Sequence, residues 1–139
     1  MTMQRCHAER FAIAGSVLIL GAWLARLSPA QQGRENPETV MATFHAKAGS
    51  EAELTRVIAR HWTVARDLKL VRDTPHITLR GIEGGDKTYF VEIFTWREAG
   101  IPDAAPAEIQ AVWKEMNQLV EPRGGRPGID FVEVSVVAP

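Results

Sequence analysis

The stretch TYFVEIFTW, residues 88–96, is the most strand-like segment of the chain. Most of its residues are aromatic or β-branched, and such side chains fit a pleated, half-buried surface. Side chains of a strand alternate between two faces, so one face should carry Phe90, Glu92, Phe94 and Trp96. The odd-numbered face is largely apolar as well. The pattern therefore predicts a central strand covered on both sides, with Glu92 as a polar exception on a buried face.

The segments around this strand alternate between strand and helix patterns. Residues 76–82, HITLRGI, predict a second strand that a glycine turn joins to residues 88–96 as a hairpin. Residues 39–45 and 129–137 predict the first and last strands. Two further segments have apolar residues at helical spacing. The first stripe consists of Leu54, Val57, Ile58, His61, Trp62, Ala65 and Leu68, and the second of Ile109, Val112, Trp113, Met116, Leu119 and Val120.

Helix starts are expected where a short polar side chain precedes each stripe. Ser50, with Glu53 three residues later, predicts a capping box, and Asp103 predicts the cap of the second helix. The element order β-α-β-β-α-β is that of the ferredoxin-like α+β fold, a four-stranded antiparallel sheet with two helices on one face. The other apolar face of the sheet needs cover. We therefore expect a homodimer that closes through its sheets.

The first thirty residues have a different character from the rest of the chain. A basic head containing Arg5 and Arg10 precedes residues 11–25, FAIAGSVLILGAWLA, which carry no charge. This apolar run is shorter than the roughly 20 residues of a membrane span but suits a signal-peptide core. We predict a signal peptide at 1–30, a linker at 31–38 and a domain at 39–139, exported to the periplasm or secreted. The alternative is an uncleaved N-terminal membrane anchor.

Composition argues against several classes of function. Removal of residues 1–30 takes away three arginines and one glutamate, which changes the formal net charge from −1 to −3. This charge argues against nucleic acid as a partner and against stable membrane association after cleavage. The single cysteine, Cys6, lies in the signal segment, so the mature domain has no disulfide or thiol nucleophile. The histidine spacing predicts no metal, and without a glycine-rich phosphate loop we expect no cofactor.

Three segments resemble the antibiotic biosynthesis monooxygenase-like family. They are VEIFTW at 91–96, WKEM at 113–116 and ATFHAKAGSEAEL at 42–54, and the resemblance covers about residues 38–137. It implies a dimeric α/β barrel with a pocket between the sheet and the helices of each subunit. Some members oxidise polycyclic aromatic compounds with dioxygen and no metal or organic cofactor. Others degrade haem, and many have no assigned reaction.

The haem-degrading branch of this family has a pattern that the chain matches only in part. The pattern uses an asparagine on the first strand, a tryptophan that ends the third, and a histidine early in the second helix. Trp96 matches the tryptophan, but residues 39–45 contain no asparagine and residues 104–107 contain no histidine. The resemblance therefore does not extend to haem degradation. A histidine common in the family after the tryptophan is also missing.

Candidate site residues come from both helices and both hairpin strands. His61 lies on an apolar stripe, where desolvation keeps an imidazole neutral and able to act as a general base; the alternative is a structural histidine. His76 and Arg80 share one face of the second strand. A short turn could place Arg80 opposite Glu92, either as a simple ion pair or as part of a polar pocket floor. Apolar walls for a flat ligand are expected from Trp62, Phe90, Phe94, Trp96, Trp113 and Met116.

Two functions remain open from the sequence. The first is a cofactor-independent oxygenase that acts on an aromatic small molecule, with His61 as base. The second is a non-catalytic binding module or dimeric scaffold of the same fold. If His61 is structural, its replacement by alanine should cost roughly 1–3 kcal/mol of folding free energy.

Overall fold

The computed structural model describes residues 36–137. The predicted signal peptide and most of the predicted linker lie outside these residues. Within the described part of the chain, no helix is long and apolar enough to cross a membrane.

The element order is the predicted β-α-β-β-α-β. The two helices are α1 (Glu51–Asp67) and α2 (Ala107–Leu119), and a short 3-10 helix (Pro102–Ala104) precedes α2. The strands are β1 (Glu38–His45), β2 (Val71–Glu83), β3 (Lys87–Trp96) and β4 (Ile129–Glu133).

The four strands form one sheet in the order β2-β3-β1-β4, and every neighbouring pair is antiparallel. The two helices pack against each other on one face of this sheet. This arrangement is the ferredoxin-like fold that the sequence predicts.

The core lies between the helices and the even-numbered face of β3. Phe90, Glu92, Phe94 and Trp96 are all almost completely buried there, as their alternation predicts. From the helices, Leu54, Val57 and Ile58 of α1 and Ile109, Val112 and Met116 of α2 fill the same layer.

The opposite face of the sheet carries a row of apolar side chains from edge to edge. Ile77 of β2 pairs with Ile93 of β3, Ile93 pairs with Met41 of β1, and Met41 pairs with Val132 of β4. At the two ends of this row, Ile77 is 45% exposed and Val132 is 47% exposed. The homodimer that would cover this face stays a prediction.

Two predicted strand boundaries are wrong by more than one residue. β2 begins at Val71, five residues before the predicted start, because it continues past Pro75. The pairing jumps from Val71 to His76, so the proline lies in an irregular stretch of an edge strand, where a missing N–H is tolerated. β4 ends at Glu133, four residues before the predicted end at Val137. Val134 still donates its N–H to the carbonyl of Thr39, but Val136 and Val137 lie beyond the start of β1 at Glu38 and are largely exposed.

Neither predicted helix cap forms. Ser50 does precede α1, but its side chain makes no capping hydrogen bond. Helix α2 begins at Ala107 after Pro106, and Asp103 lies in the 3-10 helix instead. The residue before a proline is forced towards extended backbone, as the ψ of 139° at Ala105 shows, so α2 cannot begin before Pro106.

Candidate functional site

The predicted site residues separate into two clefts and the core between them. The β2 cleft, between α1 and β2, has a volume of about 630 Å³, and its walls include Trp62, His76, Arg80 and Phe90. The β4 cleft lies at the other edge of the sheet beside α2. Its volume is about 450 Å³, and its walls include Trp96, Trp113 and Phe131.

The core between the clefts contains a carboxylate, Glu92, that is 0% exposed. One carboxylate oxygen, Oε2, lies 3.3 Å from Nδ1 of His61. The other, Oε1, lies 3.2 Å from Nε2 of His76. A buried charge needs such partners, because an unpaired carboxylate in the core is strongly destabilising.

The predicted pairing of Arg80 with Glu92 is wrong. Arg80 lies opposite Phe90, and Thr78 lies opposite Glu92. The hairpin closes between Glu83 and Lys87, because the positive φ angles of Gly84 and Gly85 place both in the turn. Arg80 instead lies within 3.4 Å of the hydroxyl of Thr88. The polar cluster on the pocket floor therefore consists of Glu92 with two histidines rather than with the arginine.

The hydrogen bond from Trp113 determines the tautomer of His61. The indole Nε1–H of Trp113 donates to Nε2 of His61 across 3.2 Å. An indole N–H can only donate, so Nε2 of His61 must carry the accepting lone pair. The proton of the neutral ring therefore lies on Nδ1 and is donated to Glu92. Both ring nitrogens of His61 are engaged within the core.

His76 differs from His61 because it reaches the cleft. Its side chain is 26% exposed, and its ring stacks on the indole of Trp62 with a centroid distance of 3.7 Å. With Nε2 donating to Glu92, the lone pair of the neutral imidazole lies on Nδ1, for which residues 36–137 provide no hydrogen-bond partner. His76 and Glu92 thus form a carboxylate–imidazole pair in the wall of the β2 cleft.

Local structure explains why these groups meet. In α1, consecutive residues point 100° apart, so His61 faces the core while Trp62 turns towards β2. On β2, His76 and Arg80 share the helix-facing side with Thr78, since side chains alternate. The two remaining predicted residues, Phe94 and Met116, are buried packing residues that line neither cleft.

The β4 cleft contains acidic residues that the sequence did not single out. Glu38, Asp103 and Glu133 lie in its walls, and none of them pairs with a basic side chain of the described residues. Burial raises the pKa of Glu38 above 4.5, and the negative charges of Glu133 and Asp103 raise it further. Glu38 begins β1 and Glu133 ends β4, so the antiparallel pairing of the first and last strands was the signal that could have revealed this cluster. Within residues 36–137, no group of three or more His, Cys, Asp or Glu side chains is arranged to hold a metal ion.

Comparisons with known proteins find similarity in structure alone. No family model matches the chain, and no curated protein sequence matches it. Among solved structures, SnoaB, a cofactor-independent oxygenase from Streptomyces nogalater, superposes with a TM-score of 0.55 at 15% identity, over 75% of this chain and 96% of that one. The fold is that of the antibiotic biosynthesis monooxygenase-like proteins.

Two further structures support this description of the fold. A candidate antibiotic biosynthesis monooxygenase from Bacteroides thetaiotaomicron has a TM-score of 0.53 at 11% identity, over 76% of this chain and 93% of that one. Another from Deinococcus radiodurans has a TM-score of 0.52 at 11% identity, over 73% and 93%. At these identities the monooxygenase-like fold is shown, whereas activity must be argued from the site.

Proposed function

We propose that the β2 cleft binds a flat, acidic small molecule and removes a proton from it through His76, as the first step of a cofactor-independent oxygenation. The observation that carries this proposal is the 3.2 Å hydrogen bond between His76 Nε2 and the buried carboxylate of Glu92, in the wall of an open cleft. In the proposal the protein acts as an exported homodimer, in line with its N-terminal sequence and its open sheet face.

A buried carboxylate behind an imidazole prepares that ring to accept a proton. Glu92 fixes the orientation of His76 and compensates the positive charge that the ring gains on protonation. Because Glu92 is fully buried, water screens this interaction less than it screens an ion pair at the surface. The lone pair of Nδ1 then accepts a proton from a molecule in the cleft.

Arg80 supports the same chemistry from the cleft wall. It lies on the same side of β2 as His76, four residues further along. A guanidinium group stabilises the negative charge that develops on a substrate as its proton leaves. Trp62 and Phe90 supply apolar surface for a planar ring system.

Deprotonation makes such a substrate rich enough in electrons to react with dioxygen directly. In a tricyclic anthrone, the central methylene group loses a proton to give an aromatic anion. This anion reacts with dioxygen to form a peroxide, which loses water and leaves a carbonyl group. In total CH₂ and O₂ become C=O and H₂O, so dioxygen is the only oxidant required. The fold shared with SnoaB, a cofactor-independent oxygenase, supports this reaction class by analogy.

The hydrogen bonds favour His76 over His61 as the proton acceptor. Both nitrogens of His61 are engaged, one with Glu92 and one with Trp113, and the side chain is only 4% exposed. The catalytic role predicted for His61 stays a prediction. In the present proposal His61 acts behind the base instead of on the substrate.

The test uses the purified protein, an anthrone as probe, and measurement of both oxygen uptake and anthraquinone absorbance. The change His76→Gln keeps a donor towards Glu92 but removes the basic nitrogen, so we expect the rate to fall about 100-fold. For Arg80→Gln we expect a loss of roughly tenfold. Arg72→Gln, which changes an exposed residue of the same strand outside the cleft, is the matched control and should keep the wild-type rate. A full rate in His76→Gln would overturn the proposal.

The second candidate function is binding without turnover. It is favoured by residues 97–107, which contain no histidine where the related family commonly has one. Saturable quenching of tryptophan fluorescence by the anthrone, with no oxygen uptake by the wild-type protein, would select this candidate.

A further inference from the structure

A single chain of hydrogen bonds crosses the core from one cleft to the other. It begins at the indole of Trp113 in the wall of the β4 cleft and passes through His61 to Glu92. It ends at His76 in the wall of the β2 cleft. Each link is 3.2 or 3.3 Å long. No other side chain of the described residues hydrogen-bonds to the Glu92 carboxylate.

We propose that Trp113 and His61 are positioning residues that control the base in the β2 cleft. The indole N–H holds the His61 proton on Nδ1, and Nδ1–H donates a hydrogen bond to Oε2 of Glu92. Oε1 is then left for Nε2–H of His76, so the lone pair of this cleft-lining ring stays on Nδ1. The inference rests on the proposed role of His76 and adds a control of that role from outside the cleft.

The alternatives at His61 show why its tautomer matters. Without the indole donor, the proton of His61 is free to move to Nε2, and Glu92 then loses one of its two donors. If His61 instead gains a second proton, it becomes a cation beside Glu92 and competes with His76 for the same negative charge. In both cases the carboxylate no longer supports His76 as it does in the intact chain. The control therefore depends on one hydrogen atom, that of the Trp113 indole.

A second tryptophan beside His61 provides a matched control variant for loss of the Trp113 indole N–H. Trp96 also packs its ring against His61, with a centroid distance of 6.1 Å compared with 6.4 Å for Trp113. Trp96 makes no hydrogen bond to His61. Its replacement by phenylalanine therefore alters the packing around the His61 ring and leaves the chain of hydrogen bonds intact. Trp113→Phe alters a similar volume and removes the donor.

The experiment is nitrogen-15 NMR of the histidine rings in the full-length protein, which separates protonated from unprotonated ring nitrogens without any substrate. In the wild type and in Trp96→Phe we expect His61 to carry its proton on Nδ1 and His76 on Nε2. In Trp113→Phe we expect the protonation of the ring nitrogens to differ from this pattern in both His61 and His76. An unchanged His76 pattern in Trp113→Phe overturns the proposal, as does a wild-type His61 protonated on Nε2.

Two substitutions of His61 give a second, independent test. His61→Gln retains a donor for Glu92 and an acceptor for Trp113, whereas His61→Leu retains neither. We expect the His76 pattern to survive in His61→Gln and to change in His61→Leu, and the anthrone oxidation rate of His61→Gln to exceed that of His61→Leu about tenfold. An equal His76 pattern in the two variants would mean that His61 acts by packing alone, and would overturn the inference. The expected NMR patterns together with no oxidation by the wild type would reject the proposed function and leave the control of His76 standing.

Discussion

Three carboxylates meet at the edge of the β4 cleft without a basic partner among residues 36–137, and their negative charges repel one another. Burial is the main reason that the pKa of Glu38 is raised, and the charges of Glu133 and Asp103 add to it. The folded state therefore holds the Glu38 proton more tightly than the unfolded chain does. The stabilisation that comes from this bound proton is fully present below 4.5, the reference pKa of the unfolded chain. It is lost as the pH rises through the higher pKa of Glu38 in the folded state.

Replacement of this side chain by a neutral one should accordingly stabilise the protein at neutral pH. We expect Glu38→Gln to have a higher Tm than the wild type at pH 7. The difference should shrink on acidification and vanish below pH 4.5, where the wild-type carboxyl is protonated in both states. Thermal unfolding across this pH range measures the effect. Glu98→Gln, an exposed change outside the cleft, is the control, and a lower Tm in Glu38→Gln at pH 7 would contradict the argument.

At the same scale, the sequence identifies Glu92 as unusual but does not identify its partners. Alternation alone places this residue on the buried face of β3, and the structure agrees. Its cross-strand partner depends on the hairpin register. If the centre of the turn moves by one residue, each residue of β3 pairs with a β2 residue two positions away from its former partner. The sequence therefore suggested Arg80, whereas His76 and His61 are the actual partners. The contact with His61 joins elements far apart in sequence, and no local pattern encodes it.

At the scale of elements, helix α1 begins without help from a side chain. The N–H of Ser50 donates to the carbonyl of Lys47 across 3.0 Å, which closes a tight turn and gives Ser50 a φ of −99° and a ψ of 1°. A capping serine has extended backbone, from which its hydroxyl reaches the first turn of the helix. The turn before α1 prevents that geometry.

We therefore expect Ser50→Ala to change the free energy of unfolding by less than about 0.5 kcal/mol, where a working cap is worth about 1 kcal/mol. Urea unfolding of the two proteins gives this difference. As a reference for a large effect in the same helix turn, Leu54→Ala should cost about 2–5 kcal/mol, because Leu54 is fully buried. A cost above 1 kcal/mol for Ser50→Ala would show that the hydroxyl does cap the helix in solution.

Element existence was predictable here, while element ends were not. Both α-helices and all four strands appear where the apolar periodicity places them, because that periodicity records which face is buried. The ends depend on neighbours instead. The valines at the end of the chain continue to Val137, but the last two lie beyond the start of β1 at Glu38, and β2 extends back to Val71 because Val71 pairs with Trp96.

At the scale of the whole molecule, the uncovered sheet face is the feature that predicts assembly. The apolar row of Ile77, Ile93, Met41 and Val132 crosses the full width of the sheet. Within one chain both helices lie on the other side. In the predicted homodimer, a second copy of the same sheet would supply a matching apolar surface, and twofold symmetry would close the pair.

A charge placed in this row should separate the pair. We expect the wild type to sediment as a dimer at micromolar concentration and Ile77→Glu to sediment as a monomer, because the new carboxylate would be buried without a partner. The control is Ile82→Glu. Ile82 is 63% exposed, lies on the same strand and pairs with Thr88, which belongs to the helix-facing side. A monomeric wild type, or a dimeric Ile77→Glu, would reject assembly through the sheets.

The predicted processing of the chain also concerns the molecule as a whole. We expect the exported protein to begin at or near Gln31, because an uncharged core at 11–25 precedes small residues at 28–30. Intact mass spectrometry of the native protein gives the mature end directly. Recovery of chains that begin at Met1 from the membrane fraction would instead support the uncleaved anchor.

The chain of hydrogen bonds across the core has a thermodynamic consequence for the two clefts. In the proposed arrangement, a molecule that binds in the β4 cleft and draws the Trp113 indole away from His61 would change the state of His76 at the opposite edge of the sheet. Binding free energies are linked reciprocally. If a ligand in the β4 cleft changes the affinity of the β2 cleft for its own ligand, the β2 ligand must change the affinity of the β4 cleft by the same factor. The affinity of each cleft would then depend on whether the other cleft is occupied, and the position of the His61 proton would couple the two.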